Sequence, residues 1–283
     1  MNCLSKAKRA QVVSALIEGN SIRATVRMTG VCKDTVLKLL CDLGSACAGY
    51  HNQIVRGIRS RRVQCDEIWN FCYAKHKNIP EKLRGEDGVG DVWTWTAIDA
   101  DTKLAISYLV GDRGAGCAYR LMRDVAERVS NRIQLTTDGH RVYANAVEDA
   151  FGAEIDYAML VKIYGAVEEK PETRYSPAQC IGTRLAVLSG KPDPAHISTS
   201  FVERQNLTMR MSMRRFTRLT NAFSKKLDNL KAAVALHFMH YNFCRVHQTL
   251  RVTPAMQAGI ADHVWTLEEL VGLLESKTVS AVA

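Results

Sequence analysis

The sequence predicts an α/β fold, a mixed sheet flanked by helices, preceded by an all-α helix-turn-helix module. Three observations carry this. Residues 6–43 repeat apolar side chains at helical spacing between glycine stops, residues 63–110 change to strand-like runs rich in aromatic and apolar side chains, and residues 115–151 alternate helix, strand and helix. A chain of 283 residues that is 47% hydrophobic and 24% charged has the material for a substantial core.

The first helix is expected from Lys6 to Glu18, with Ala10, Val13, Leu16 and Ile17 at helical spacing and Gly19-Asn20 as its stop. Ser21 can cap a second over Ile22 to Thr29, Gly30 ends it, and a third runs from about Lys33 to Leu43 with Val36, Leu39 and Leu40 inward. Val26, Gly30, Val31, Val36 and Leu39 have helix-turn-helix spacing, which would aim Lys33, Asp34, Thr35 and Lys38 at a DNA major groove; an ordinary helical hairpin would show the same pattern. The DNA-binding domain is therefore drawn over residues 1–48. A basic linker follows over 49–62, where Arg56, Arg59, Arg61 and Arg62 form either a solvated face or a phosphate track.

Strands are expected over Val63 to Tyr73, Val92 to Ile98 and Leu104 to Val110, the last two joined by the turn-forming Asp99-Ala100-Asp101-Thr102. A helix over Ala115 to Ser130, a short buried strand over Ile133 to Thr137 and a helix over Val142 to Phe151 follow. Pro171, Pro177, Pro192 and Pro194, with Gly182 and Gly190, mark residues 165–198 as an insertion of doubtful regular structure. Helical pattern resumes at Ser200 and continues, with a break near Asn221, to Phe243. The larger domain is drawn over 63–260, and 261–283 as a helical tail packed on the core or on a second subunit.

Lysine and arginine outnumber aspartate and glutamate by 38 to 29, a formal charge of +9 that suggests a polyanionic partner. The nine cysteines form no CxxC pair and no Cys/His cluster at zinc-ligand spacing, so reduced thiols are expected. With neither a signal-peptide apolar region nor a membrane-length apolar run, the chain is expected in the cytoplasm, away from membranes.

Three acids occupy informative positions. Asp66 lies in an apolar, aromatic strand, where an unpaired charge is costly. Strand alternation sends Asp66 and Glu67 to opposite sides, so only one of the two is a good ligand candidate. Asp138 follows a buried strand and precedes Gly139, at the strand end where open sheets place ligands. Glu203 stands three residues after Ser200, at capping-box spacing. Singly these could be a structural acid, a turn residue and a cap. Jointly, drawn from separate elements, they are the hard oxygen ligands that a pair of magnesium ions requires. Beyond Glu203 the helical pattern sets Asn206, Arg210 and Arg214 on its face, beside an apolar stripe of Met209, Met213 and Phe216. Arg204, Arg210, Arg214, Arg215, Arg218, Lys225, Lys226 and Lys231 face only Asp228 in that stretch, which reads as a phosphate track.

Cys65-Asp66-Glu67-Ile68-Trp69, Thr137-Asp138-Gly139, Phe201-Val202-Glu203-Arg204-Gln205-Asn206, Tyr241-Asn242-Phe243-Cys244-Arg245-Val246-His247 and Thr253-Pro254-Ala255 together resemble the DDE transposases of bacterial insertion sequences, closest to the insertion-sequence-one type. The resemblance spans about residues 60–260. It implies an RNase H-like fold, Mg²⁺ dependence with Mn²⁺ as a substitute, and catalytic, metal-holding roles for Asp66, Asp138 and Glu203. It further implies double-stranded DNA partners, the inverted repeats and the target, held by a homo-oligomer of at least two copies in a bacterial cytoplasm. One departure stands out: members of that type often carry an N-terminal cysteine zinc finger, and none is present. A helix-turn-helix transcriptional regulator and a metal-dependent nuclease without strand transfer are the rival readings. His240 and His247 stay outside the triad.

Overall fold

Two serine caps start the fold. Ser5 Oγ accepts the Lys8 N–H at 3.2 Å at the head of α1 (Lys6–Ile17), and Ser21 Oγ accepts the Ala24 N–H at 3.1 Å at the head of α2 (Ile22–Thr29). Gly30, at φ +69°, takes the left-handed turn that ends α2 and leads into α3 (Lys33–Ile54). The computed structural model describes residues 4–165, 180–217 and 220–280; Pro171, Pro177 and Arg218 lie outside them.

The third helix is twice the expected length, and residues 49–54 of the expected linker belong to it. Gly44 is a contact residue there rather than a stop. A Cβ on it would sit 2.5 Å from the backbone of Ala232, so glycine is what lets α7 (Leu227–Met239) cross this closely. Arg128, buried, donates to the Val55 carbonyl at 2.9 Å and to the Asn52 side chain at 2.9 Å, which satisfies the end of α3.

One mixed sheet follows, from β1 (Arg62–Cys72), β2 (Gly90–Asp99), β3 (Ala105–Gly111), β4 (Ile133–Asp138), β5 (Ile155–Tyr164) and β6 (Cys180–Ser189), in the order β3-β2-β1-β4-β5-β6. The first three strands are an antiparallel meander. Asp99 Oδ1 accepts the N–H groups of Asp101 and Thr102 at its second turn, as that sequence predicts. β1, β4 and β5 run parallel, joined through α4 (Ala115–Arg128) and α5 (Val142–Phe151), and β6 returns antiparallel. Helices cover both faces: Glu67 and Trp95 meet Tyr143 of α5 on one, while Gln64 and Asp66 meet α6 (Ser200–Ser212) on the other.

Two expectations need correction. The supposed insertion contains β6, whose run Ile181–Leu188 has strand character that the flanking prolines and glycines obscured. The long helix after Ser200 stops at Ser212, and a 3₁₀ turn (Arg214–Phe216) and irregular chain precede α7. After α7 come a π turn (His240–Cys244), the one-turn α8 (Pro254–Gln257) and α9 (Leu267–Ser280), which puts Leu270 and Val271 into the core beside α1 and α3. A single hydrophobic core runs from Ala10 through the sheet to Val271. Residues of α1, α3, the sheet, α7 and α9 all contribute to it. Among the described residues every cysteine is a free thiol, and no helix is long and apolar enough to cross a membrane.

Candidate active site

Strand register brings the two aspartates together. β1 and β4 are parallel with Cys65 opposite Thr137, so Asp66 and Asp138 take the next step side by side on one face. Asp138 is the last residue of β4, at the carboxyl edge of the parallel strands.

Gln64, two residues before Asp66 on the same face, docks the helix that brings the third acid. Its buried Oε1 accepts the N–H groups of Phe201 at 2.8 Å and Val202 at 3.2 Å, the free donors at the head of α6. One turn on, Asn206 Nδ2 donates to Asp66 Oδ2 at 2.8 Å. Glu203, between them, enters the same cavity, an open space of about 930 Å³ lined by Asp66, Glu67, Asp138, Glu203, Asn206 and Arg210 among others. The capping-box expectation fails. Thr199, not Ser200, is the cap residue, and its hydroxyl donates to Glu203 Oε1 at 2.5 Å.

The four acids are held differently. Oxygens of Asp66, Glu67 and Asp138 lie within 4.8 Å of one another, and burial together with the charges of Asp138 and Glu67 pushes Asp66 up to about 8. Glu67, expected to be turned away, belongs to this cluster: Arg113 Nε donates to it at 2.8 Å and the Tyr143 hydroxyl at 3.2 Å. Burial, then Asp138, raises its pKa against the pull of Arg113. Alternation does send Glu67 to the opposite face, but Asp138 ends its strand, and beyond a strand's end both faces open on the same space. Asp138 Oδ1 accepts the His140 N–H at 3.0 Å. Glu203 lies outside the three-oxygen cluster and is bound by Lys162 Nζ at 2.5 Å; Lys162 comes from β5, two residues beyond the partner of Asp138. No sequence signal marked Gln64, Arg113, Tyr143 or Lys162, because each acts across the fold.

The expected DNA-contacting residues fall in separate places. Asn206 and Arg210 line the acidic cavity, and Arg204 is exposed beside it. Arg214 lies past the end of α6 and lines a different cavity, so it does not share the glutamate's face. Lys33 and Lys38 project from the start of α3, with Lys38 bonded to Asp42 at 2.5 Å, and Thr35 contacts the Cys32 thiol at 3.0 Å. Arg59 and Arg61 are exposed ahead of β1, at the end of the sheet away from the acids. Arg62 is paired with both Asp101 oxygens and lies 2.7 Å from His196 Nδ1.

No protein-family model matches the chain, and no curated protein matches it by sequence. Among solved structures it is similar to a piggyBac transposase synaptic complex with hairpin DNA, at 12% identity and a TM-score of 0.39, over 97% of this chain and 70% of that one. It is similar also to the Mos1 strand transfer complex, at 11% identity and a TM-score of 0.25, over 83% and 78%. Likeness at this level carries no argument about activity, which has to come from the acidic cavity.

Proposed function

We propose that this chain is a DNA transposase of the DDE type with an RNase H-like catalytic core, in which Asp66, Asp138 and Glu203 hold divalent metal for cutting and joining DNA. The observation that carries the reading is the convergence of two aspartates, in register on adjacent parallel strands, with a glutamate that Gln64 and α6 deliver over them, all on one open cavity.

The donor set fits a hard cation. Carboxylate oxygens crowded within 4.8 Å repel one another unless a positive charge sits among them, and the cavity leaves room for phosphate. Bound Mg²⁺, or Mn²⁺ in its place, would activate an oxygen nucleophile and stabilise the leaving oxygen of a phosphodiester. The chain's own side chains do the positioning. Asn206 fixes the carboxylate plane of Asp66, Arg113 balances Glu67 so that it can stay beside Asp138, and Lys162 neutralises Glu203 at the rim until a cation takes its place. On this reading Arg210, which lines the cavity, contacts a DNA phosphate.

On this reading α2 and α3 form a helix-turn-helix that meets element ends through Lys33, Thr35 and Lys38, and at least two copies hold the two ends. Arg59 and Arg61 extend the DNA contact. Glu203→Gln should abolish cleavage of labelled inverted-repeat duplex in Mg²⁺ while leaving duplex binding intact; retained cutting would remove Glu203 from catalysis. The same assay separates the rivals, since binding without cutting describes a regulator and cutting without joining a nuclease.

A further inference from the structure

A second cavity, of about 890 Å³, lies between the N-terminal helices and the chain that joins α6 to α7. Five of its lining side chains are cationic, Arg23, Lys33, Arg214, Arg215 and Lys225, and none is acidic. Lys33 reaches only its neighbour Asp34, 3.9 Å away, and among the described residues Arg214, Arg215 and Lys225 have no carboxylate within 4 Å. Arg215 is the informative member. Its side chain is part-buried in the cavity, which pulls its pKa down to about 10, and its one side-chain hydrogen bond among the described residues is to Ser224 Oγ at 2.6 Å. A guanidinium has five donors, and desolvating one with a single neutral partner is costly. An anion supplies what is missing.

The cavity continues into an aromatic ledge. Phe223, on its wall, lies 5.0 Å from Phe71, which lies 5.9 Å from Trp69. Lys225 Nζ sits over Phe223 at 4.9 Å and over Tyr73 at 5.6 Å, and Lys75 covers Trp69 and Phe71. The ledge is built: Tyr73 holds a positive φ of 65°, and its N–H donates to the Ser224 carbonyl at 2.8 Å, which pins the segment carrying Phe223 and Lys225 against the end of β1. Cations beside stackable rings are the chemistry of single-stranded nucleic acid binding.

We propose that this cavity binds a backbone phosphate of single-stranded nucleic acid, with Arg215, Arg214 and Lys225 as its donors and with bases stacked on Phe223 and Phe71. The site is separate from the acidic cavity, and the proposal stands whether or not that cavity cuts DNA.

The test is fluorescence anisotropy of the full chain with a labelled thymine dodecamer in EDTA, which removes metal-dependent cleavage from the result. Lys225→Ser and Phe223→Leu should each weaken single-strand binding at least fivefold and leave the affinity for a duplex dodecamer within twofold. Because Arg215→Gln could disturb folding, the exposed Arg214→Ser serves beside it and should give a loss of the same sign. Unchanged single-strand affinity in Lys225→Ser and Arg214→Ser overturns the site. An equal loss for duplex assigns the cavity to duplex DNA and overturns the single-strand proposal. Inorganic phosphate that raises the melting temperature of the wild type but not of Lys225→Ser, with no strand binding, identifies a free-phosphate site and overturns the nucleic-acid assignment.

Discussion

Neutralising a carboxylate in the cluster of Asp66, Glu67 and Asp138 removes a repulsion as well as a ligand. Asp138→Asn can keep the His140 hydrogen bond through its remaining oxygen while it relieves Asp66 and Glu67. Without metal its melting temperature should therefore rise, by about 2–4 °C if the relief is ~1 kcal/mol. Mg²⁺ should stabilise the wild type and not the variant. A lower melting temperature for the variant in EDTA would show that the cluster is not under repulsion. Lys162 gives a second prediction of this kind. Its ammonium occupies Glu203 Oε1, where it competes with a cation, and partly exposed ion pairs contribute little. Lys162→Met should lower the Mg²⁺ concentration for half-maximal thermal stabilisation by about two- to fivefold; a rise would mean that Lys162 positions Glu203 for the metal. The aspartates were legible in the sequence because a charge inside an apolar strand, or at its carboxyl end, stands out locally. For Glu67 the alternation rule holds for its direction and fails at the strand end it reaches. Lys162 and Arg113 come from remote strands and loops, where neighbouring residues carry no sign of their partners.

Elements follow the same division between local and distant causes. The expected strands and the helices from Lys6 to Thr29 and Ala115 to Phe151 reproduce the structure to within about two residues, since periodicity and caps decide them. Gly44 looks like punctuation that would end the third helix, whereas its role is set by Ala232, far along the chain. Gly44→Ala tests that account. An added methyl would overlap the backbone of α7, which cannot retreat as a flexible side-chain tip can, so the loss should be about 2–3 kcal/mol despite the better helix propensity of alanine. A neutral or stabilising outcome in urea unfolding would mean that the helices separate easily, and the tight crossing would then not hold the N-terminal helices in place.

At the scale of the whole molecule, buried histidines tie distant parts together and should make folding acid-sensitive. His51 of α3 is 3.1 Å from the Ala105 carbonyl of β3, and His237 of α7 accepts from Gln205 of α6 at 3.2 Å. Burial pulls His51 down to about 4 and His237 to about 3. At pH 5 the unfolded chain's histidines, near 6.5, have taken protons while these two have not, so acid favours unfolding. Their contribution is complete above pH 6.5 and is lost as pH falls towards 4 and 3. Asp66, held at about 8, works in the opposite direction over the same range, because its folded form takes the proton first. The wild-type slope is thus a difference between opposing groups, and the difference between wild type and a histidine variant isolates one of them. For His237→Leu, the pH dependence of unfolding free energy between pH 4.5 and 6 should flatten by one proton, about 1.4 kcal/mol per pH unit. Protonating His237 Nε2 would also convert the acceptor of the Gln205 bond into a donor, so charge and hydrogen bonding act in the same direction. Since a single core joins α1, the sheet, α7 and α9, the loss should appear in one cooperative transition monitored equally by far-UV circular dichroism and tryptophan fluorescence. Two separated transitions, or an unchanged slope in the variant, would detach His237 from global folding and return the N-terminal helices to the status of an independent domain.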